Sequence, residues 1–254
     1  MCRHLAYLGA PIALGALLTD ADHSLVRQAQ AARHQQSGPE NPHGYGVGWW
    51  DAAGGLHRHR TATAIWEDPG LDAIALRERS GAVLAAVRLA SPGLPVEASG
   101  NAPFTDGTWL FSLNGRVDGW HDGVGDALRA AVTRRRAERI EGLADSEVCF
   151  ALTLDQIDAG ATPGEALRTV VDDIVARTTG WLNFLITDGR SIAATAWENS
   201  LFTRVGDDGT IVASEPLDDD ADWQRVPDHT LVAVEGRSII STPLALAGSK
   251  TGAP

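Results

Sequence analysis

Apolar and polar positions change rhythm twice along the 254 residues. Over the first 115 or so, short apolar runs bounded by glycine and proline predict strands at residues 3–8, 44–50, 81–88 and 108–113. Residues 24–34 and 71–79 read as helices between them. The middle turns helical, with Asp145-Ser146 placed to cap a helix that runs to about Asp158. Thr162-Pro163-Gly164-Glu165 is a capping box with proline in the first turn. After it Ala166, Leu167, Val170, Val171, Ile174 and Val175 recur at one-and-four spacing, a single apolar stripe. The last third returns to strands at 181–187, 191–197, 201–205, 210–214 and 230–234. Asp188-Gly189-Arg190 and Asp207-Asp208-Gly209 are the hairpin turns. Strands, helices and strands again, without βαβ alternation, predict an α+β fold of mixed sheets covered by helices. No repeat or low-complexity linker divides it, so a single domain over residues 1–254 is expected.

Composition narrows the partners. The chain is 44% hydrophobic and 21% charged, a globular balance. Its 33 acidic against 21 basic residues leave a net charge of −12, which disfavours nucleic acid and anionic membranes. Residues 5–19 carry no charge until Asp20 and loosely imitate a signal peptide, but Pro11 and two glycines break the run. A cytoplasmic protein is expected, and its two cysteines, Cys2 and Cys149, are read as free thiols.

Cys2 follows the initiator methionine, and removal of Met1 would give it a free α-amine. Reference pKa values of roughly 7.7–8.0 for that amine and roughly 8.5 for the thiol are matched, so one residue can supply nucleophile and general base. A second-position cysteine also arises by chance. Acyl transfer through a thiolate needs an oxyanion site. Asn114-Gly115, at the end of a predicted strand, offers a side-chain amide, a main-chain N–H and a glycine that admits close approach; an Asn-Gly turn explains the same pair. Arg88 ends an apolar strand and needs an anionic partner, either a substrate carboxylate or a structural acid. Asp145 can face a substrate ammonium or cap its helix. A carboxylate clamp with an ammonium acceptor describes the α-carbon end of a glutamyl group.

Met1-Cys2-Arg3-His4-Leu5-Ala6-Tyr7-Leu8-Gly9 resembles the opening of the class II glutamine amidotransferases, a branch of the N-terminal nucleophile hydrolases. Asn41-Pro42-His43-Gly44, Val87-Arg88-Leu89-Ala90-Ser91, Asn114-Gly115 and Asp145-Ser146-Glu147 follow in family order. Farther on, Leu182-Asn183-Phe184, Ala194-Thr195-Ala196-Trp197, Val212-Ala213-Ser214-Glu215-Pro216 and Trp223-Gln224-Arg225-Val226-Pro227-Asp228 are similar to the amidohydrolases of ergothioneine biosynthesis, which lack a synthase domain. The resemblance implies a four-layer αββα fold with two stacked mixed or antiparallel sheets. It also implies hydrolysis of γ-glutamyl-hercynylcysteine S-oxide to glutamate and hercynylcysteine S-oxide. By position, Cys2 would be the nucleophile, Asn114 and Gly115 the oxyanion site, Arg88 with Ser91 the carboxylate site and Asp145 the amine site. No metal or organic cofactor is implied. The partner is a small γ-glutamyl substrate, and a homodimer stays open. Two positions depart from the amidotransferase pattern: Ala102 stands before Pro103-Phe104 where histidine is common, and Leu113 replaces the histidine of His-Asn-Gly. The first departure is shared with the ergothioneine branch. The second keeps open an inactive glutamyl-binding relative, beside the alternative of a glutaminase subunit that supplies ammonia.

The implied substrate carries a trimethylammonium group, which suits an aromatic face. Trp49, Trp50 and Trp109, beside the motifs, are candidates to meet it, with core packing as the competing role. His57-x-His59 lies between arginines with no carboxylate near in sequence and reads as a solvated strand rather than a metal pair. Arg134-Arg135-Arg136 with Arg139 reads as an exposed helix face, Asp218–Asp220 with Asp222 as an acidic loop, and Cys149 as an inert buried thiol.

Overall fold

In the computed structural model, which describes residues 2–244 apart from Ser37 and Pro92, the strands gather into two sheets. Met1, whose removal the chemistry above requires, lies outside the described residues. In chain order the strands are β1 (Arg3–Ala13), β2 (Tyr45–Trp50), β3 (Leu56–Thr61), β4 (Arg79–Val87), β5 (Phe104–Thr105), β6 (Leu110–Val117) and β7 (Gly180–Thr187). There follow β8 (Ser191–Ala196), β9 (Phe202–Val205), β10 (Gly209–Ala213), β11 (Gln224–Arg225), β12 (Thr230–Glu235) and β13 (Ser238–Pro243). One sheet runs β11-β9-β10-β1-β4-β2-β3 and the other β13-β12-β8-β7-β6-β5. The pairings described are antiparallel throughout.

Period-two alternation sorts the side chains into layers. On β1, Leu5 and Tyr7 face the short helices α1 (Gly15–Leu18), α2 (Leu25–Gln30) and α3 (Gly70–Arg77). Ala6 and Leu8, with Leu84 of β4 in the same sheet, face the second sheet, where they meet Leu110 and Leu185. On β6, Phe111, Leu113 and Val117 point the other way, toward α4 (Gly125–Ala131), α6 (Asp145–Asp158) and α7 (Pro163–Val175). The result is αββα. Toward the start of β1 the inter-sheet layer changes character: His4, Ser112, Asn114, Asn183 and Ser214 are wholly buried there. Buried polar groups need partners, and that layer is where the reactive end of the chain is anchored.

The capping box is present: Thr162 Oγ1 accepts from Glu165 N and Glu165 Oε2 accepts from Thr162 N, at 3.3 and 2.8 Å. The stripe behind it is buried from Ala166 to Ile174, with Val175 partly so. Several bounds move. β1 continues through Pro11 to Ala13, because its pairing with β4 shifts register between Leu8 and Ile12 and absorbs the proline. The helix expected at 24–34 stops at Gln30, and Arg79 already belongs to β4. Thus the uncharged residues 5–19 form a central strand and one helical turn. No helix among the described residues is long and apolar enough to cross a membrane.

Two surface readings are corrected. Arg136 is buried, not exposed: it lies in α5 (Arg134–Ala137) with Nη1 3.1 Å from Asp106 and Nη2 2.7 Å from Asp158. The helical turn aims it inward while Arg134 and Arg135 stay exposed. His57 and His59 do have carboxylates near in space, Asp51 at 2.6 Å and Asp68 at 3.1 Å, one acid for each ring.

Candidate active site

β1 runs between β10 and β4, so the residue before it opens onto the middle of a sheet rather than a frayed edge. Cys2 is partly exposed there and lines a pocket with Arg88, Ser91, Leu113, Gly115 and Asp145. Five of the six residues singled out in the sequence therefore border one concavity, although Arg88, Gly115 and Asp145 come from three separate stretches.

Arg88 follows the last residue of β4 and is 7% exposed. Its Nη1 donates to the Pro95 carbonyl at 3.0 Å, and no carboxylate of the described residues closes an ion pair with it. Burial pulls its pKa down, while the Cys2, Asp145 and Glu97 charges favour the cation. Gly100 packs on the guanidinium: a Cβ there would sit 2.7 Å from Nη1. His43 N donates to Arg88 O and Arg88 N to Gly44 O, while Ala90 N donates to His43 Nδ1 at 2.9 Å. The Asn-Pro-His-Gly segment thus fixes the course of residues 88–90.

Asp145 is the first residue of α6, after Ala144 at the cap position, so its carboxylate is not a cap. Oδ2 accepts from Val117 N at 2.9 Å and Oδ1 from Ser146 N at 2.8 Å. Burial nevertheless raises its pKa, the hydrogen bonds and Arg88 opposing that only in part. A buried acid pushed up beside an open pocket is a site in want of a cation.

Asn114 stands apart from the pocket lining. Its side chain points into the inter-sheet layer, wholly buried, and Nδ2 donates to Ser214 Oγ at 2.9 Å. Gly115 lines the pocket, but its missing side chain has another cause than close approach of a substrate. A Cβ there would lie 1.7 Å from the Trp181 carbonyl of the neighbouring strand β7. Leu113, 5% exposed, alternates to the helix-facing side and forms apolar wall.

None of Trp49, Trp50 and Trp109 lines this pocket. Trp49 and Trp109 pack in the two helix-covered cores, and Trp50 lies against Gly189 beside the inter-sheet core. The tryptophan beside the site is Trp120, in a recess that shares Ser91, Leu94 and Asp145 with the Cys2 pocket and adds Asp118, His121 and Asp122. Its Nε1 donates to Leu143 O at 3.1 Å. Cys149, on α6, is wholly buried, and burial raises its thiol pKa well above the usual value.

Four residues with no assigned role, two on β1 and two just after β10, hold the strand that follows Cys2. Arg3 is wholly buried; Nε donates to Cys2 O at 2.7 Å and Nη1 to Glu215 Oε1 at 3.0 Å. His4 Nδ1 lies 3.1 Å from Ser112 Oγ, and burial, with Arg3, lowers its pKa to about 3. Ser214 Oγ accepts the His4 N–H at 3.0 Å. The sequence signal for this group was the unbroken motif at each end, Cys2-Arg3-His4 and Ser214-Glu215, which no local pattern explained.

No protein-family profile matches the chain. A gamma-glutamyl-hercynylcysteine sulfoxide hydrolase of Mycolicibacterium smegmatis is 40% identical over 246 residues, covering 96% of this chain and 100% of the relative. One from Mycobacterium tuberculosis is 37% identical over 248 residues, covering 96% and 97%. Among solved structures, a glutamine aminotransferase class-II domain protein from Silicibacter pomeroyi superposes with a TM-score of 0.69 at 24% identity, over 95% of this chain and 99% of that one. That likeness carries the fold, and the αββα layering and antiparallel sheets agree with it. Similarity along nearly the whole length settles the family: the chain belongs to the gamma-glutamyl-hercynylcysteine sulfoxide hydrolases, built on the class II glutamine amidotransferase fold.

Proposed function

We propose that this chain, as one catalytic domain, hydrolyses the γ-glutamyl amide of γ-glutamyl-hercynylcysteine sulfoxide, releasing glutamate and hercynylcysteine sulfoxide. The observation that carries the reading is the meeting of Cys2, Arg88 and Asp145 at one pocket. Arg88, a buried cation without a carboxylate partner among the described residues, takes the α-carboxylate, with Ser91 beside it; Asp145 takes the α-ammonium. With Met1 removed, the Cys2 amine accepts the thiol proton and Sγ bonds to the γ-carbonyl carbon. The oxygen gains the electron pair and meets the Gly115 N–H and the second hydrogen of Asn114 Nδ2. The C–N bond breaks, and the leaving amine takes the proton from the α-ammonium of Cys2. Water, losing its proton to the same amine, then attacks the thioester, and glutamate leaves as the thiol re-forms. Leu113 as apolar wall is compatible with this route, since both oxyanion donors lie beyond it. No step draws on a metal or cofactor.

The leaving group, in this reading, extends into the recess of Trp120 and Asp122; Arg116, which also lines it, pairs with Asp118 at 2.7 Å and Arg129 lies over the Trp120 ring, so Asp122 and the remaining indole surface are what suit a quaternary ammonium. The reaction is placed in the cytoplasm, where two unpaired thiols stay reduced. The test is mass spectrometry of the protein after incubation with a γ-glutamyl chloromethyl ketone. Loss of Met1 and a single adduct on Cys2 are expected, together with glutamate release from the sulfoxide substrate. An adduct elsewhere, or ammonia from glutamine without cleavage of the sulfoxide conjugate, would overturn it.

A further inference from the structure

Ser214 has no part in the chemistry above, yet it joins the two groups that must meet at the reacting carbon. It follows β10 directly and is wholly buried. Its N–H donates to His4 O at 2.9 Å and its Oγ accepts from His4 N at 3.0 Å, so it hooks β1 twice, two residues from Cys2. The same Oγ accepts Asn114 Nδ2 from the opposite sheet at 2.9 Å. Ser200 Oγ donates to the Ser214 carbonyl at 2.8 Å and steadies it from a third segment.

We propose that Ser214 is a positioning residue: one hydroxyl oxygen fixes the oxyanion amide of Asn114 relative to the strand that carries the nucleophile. The proposal rests on the reading of Asn114 as an oxyanion donor. A side-chain amide has a broad, roughly two-fold terminal torsion, so something must choose its orientation. Asn114 Oδ1 is buried without a hydrogen-bond partner among the described residues, which leaves Ser214 as the side chain's anchor. Both lone pairs of Oγ are used, one by each sheet, and one of the two Nδ2 hydrogens is committed to it. The other stays free for charge that develops in the transition state. With the anchor gone, the amide can turn its oxygen toward that charge or tilt away, and displacement of about 1 Å can cost about a hundredfold.

The experiment is a cycle of Ser214→Ala, Asn114→Ala and the double variant, with kcat and KM measured on γ-glutamyl-hercynylcysteine sulfoxide. Asn114→Ala is expected to lose about a hundredfold to a thousandfold in kcat. Ser214→Ala is expected to lose about tenfold to a hundredfold, with KM within about twofold, since Arg88 and Asp145 are untouched. The double variant should fall within about threefold of Asn114→Ala, because Ser214 acts through Asn114. Ser214→Thr, which keeps the γ-oxygen, should recover most of the turnover. Should Ser214→Ala unfold, Ser214→Cys, similar in size but a weak acceptor, reads the same loss. Wild-type kcat in a folded Ser214→Ala or Ser214→Cys, or additive losses in the double variant, overturns the positioning role. Wild-type kcat in Asn114→Ala overturns the oxyanion reading instead, so the two failures are distinguishable.

Discussion

Arg3 and Glu215 form an ion pair with both side chains fully sequestered from solvent, and the same guanidinium holds the carbonyl of Cys2. Glu215 has further duties, accepting the main-chain N–H of Arg33 at 2.7 Å and of His34 at 3.1 Å. Glu215→Ala strands a buried cation and two amides, and a loss of about 3–5 kcal/mol is expected. Arg3→Met with Glu215→Gln removes both charges and keeps an acceptor for the amides, so it should unfold at a higher urea midpoint than Glu215→Ala. Equal midpoints would mean that the pair is not the source of the loss.

His4 makes a second stability prediction. Its folded pKa is held near 3 by burial and then by Arg3, against about 6.5 in an unfolded chain. The unfolded state therefore binds a proton that the native state refuses, and stability must fall as pH drops from about 6.5 toward 3. The expected contribution to the slope is about 1.4 kcal/mol per pH unit within that window. Urea titrations of wild type and His4→Gln between pH 7 and pH 4.5 check it: the variant should show a shallower decline.

Asp145, read as the ammonium site, is expected to set the acid side of catalysis. Burial raises its pKa, so it takes up a proton at a higher pH than an ordinary carboxylate. Only the carboxylate balances a glutamyl ammonium, hence substrate affinity should weaken as pH falls through that raised value. Asp145→Asn should raise KM at least about thirtyfold, from roughly 2 kcal/mol or more for a truncated buried charge pair. It should also flatten the acid limb of log(kcat/KM). A limb of unchanged shape in Asp145→Asn would assign it to another group.

Trp120 offers a specificity test. Trp120→Ala should raise KM for the betaine substrate about fivefold to thirtyfold, the equivalent of roughly 1–2 kcal/mol. KM for γ-glutamyl-p-nitroanilide, which has no quaternary ammonium, should move less. Trp49→Ala, a core change, should lower the melting temperature and leave both ratios alike. Equal rises for the two substrates in Trp120→Ala would remove the recess from the recognition of the cation.

The fold was largely legible because its major strands and its two long helices carry strong local signals. The α7 capping box and stripe needed no context, and α6 begins and ends where the pattern puts it. What stayed hidden has physical reasons. β5 and β11 are two residues long and α1 and α5 are single turns, all too short for periodicity to register, while β13 is an exposed edge with no buried residue to alternate. Arg136 escaped because charge runs say nothing about which member turns inward. Of the residues that border the pocket, Cys2, Arg88 and Asp145 could be singled out from their chemistry. Arg3, His4 and Ser214 could not, because their partners lie at Glu215, Ser112 and Asn114, at least a hundred positions away in each case. The three nominated tryptophans do not line the pocket for a related reason: nearness to a motif in sequence is a poor guide to a pocket assembled from separate segments.

The long reach from residue 3 to residue 215 has a consequence for biosynthesis. Chains emerge from the ribosome start first, so the would-be nucleophile is made some two hundred residues before the segment that seats it. Until β10 slots in beside β1, Arg3 lacks Glu215 and the His4 main chain lacks Ser214, and the leading strand lacks a neighbour on one side. On the reading proposed above, a nascent or truncated polypeptide therefore holds Cys2 unseated, and turnover is expected only once the last third of the molecule has closed over the first.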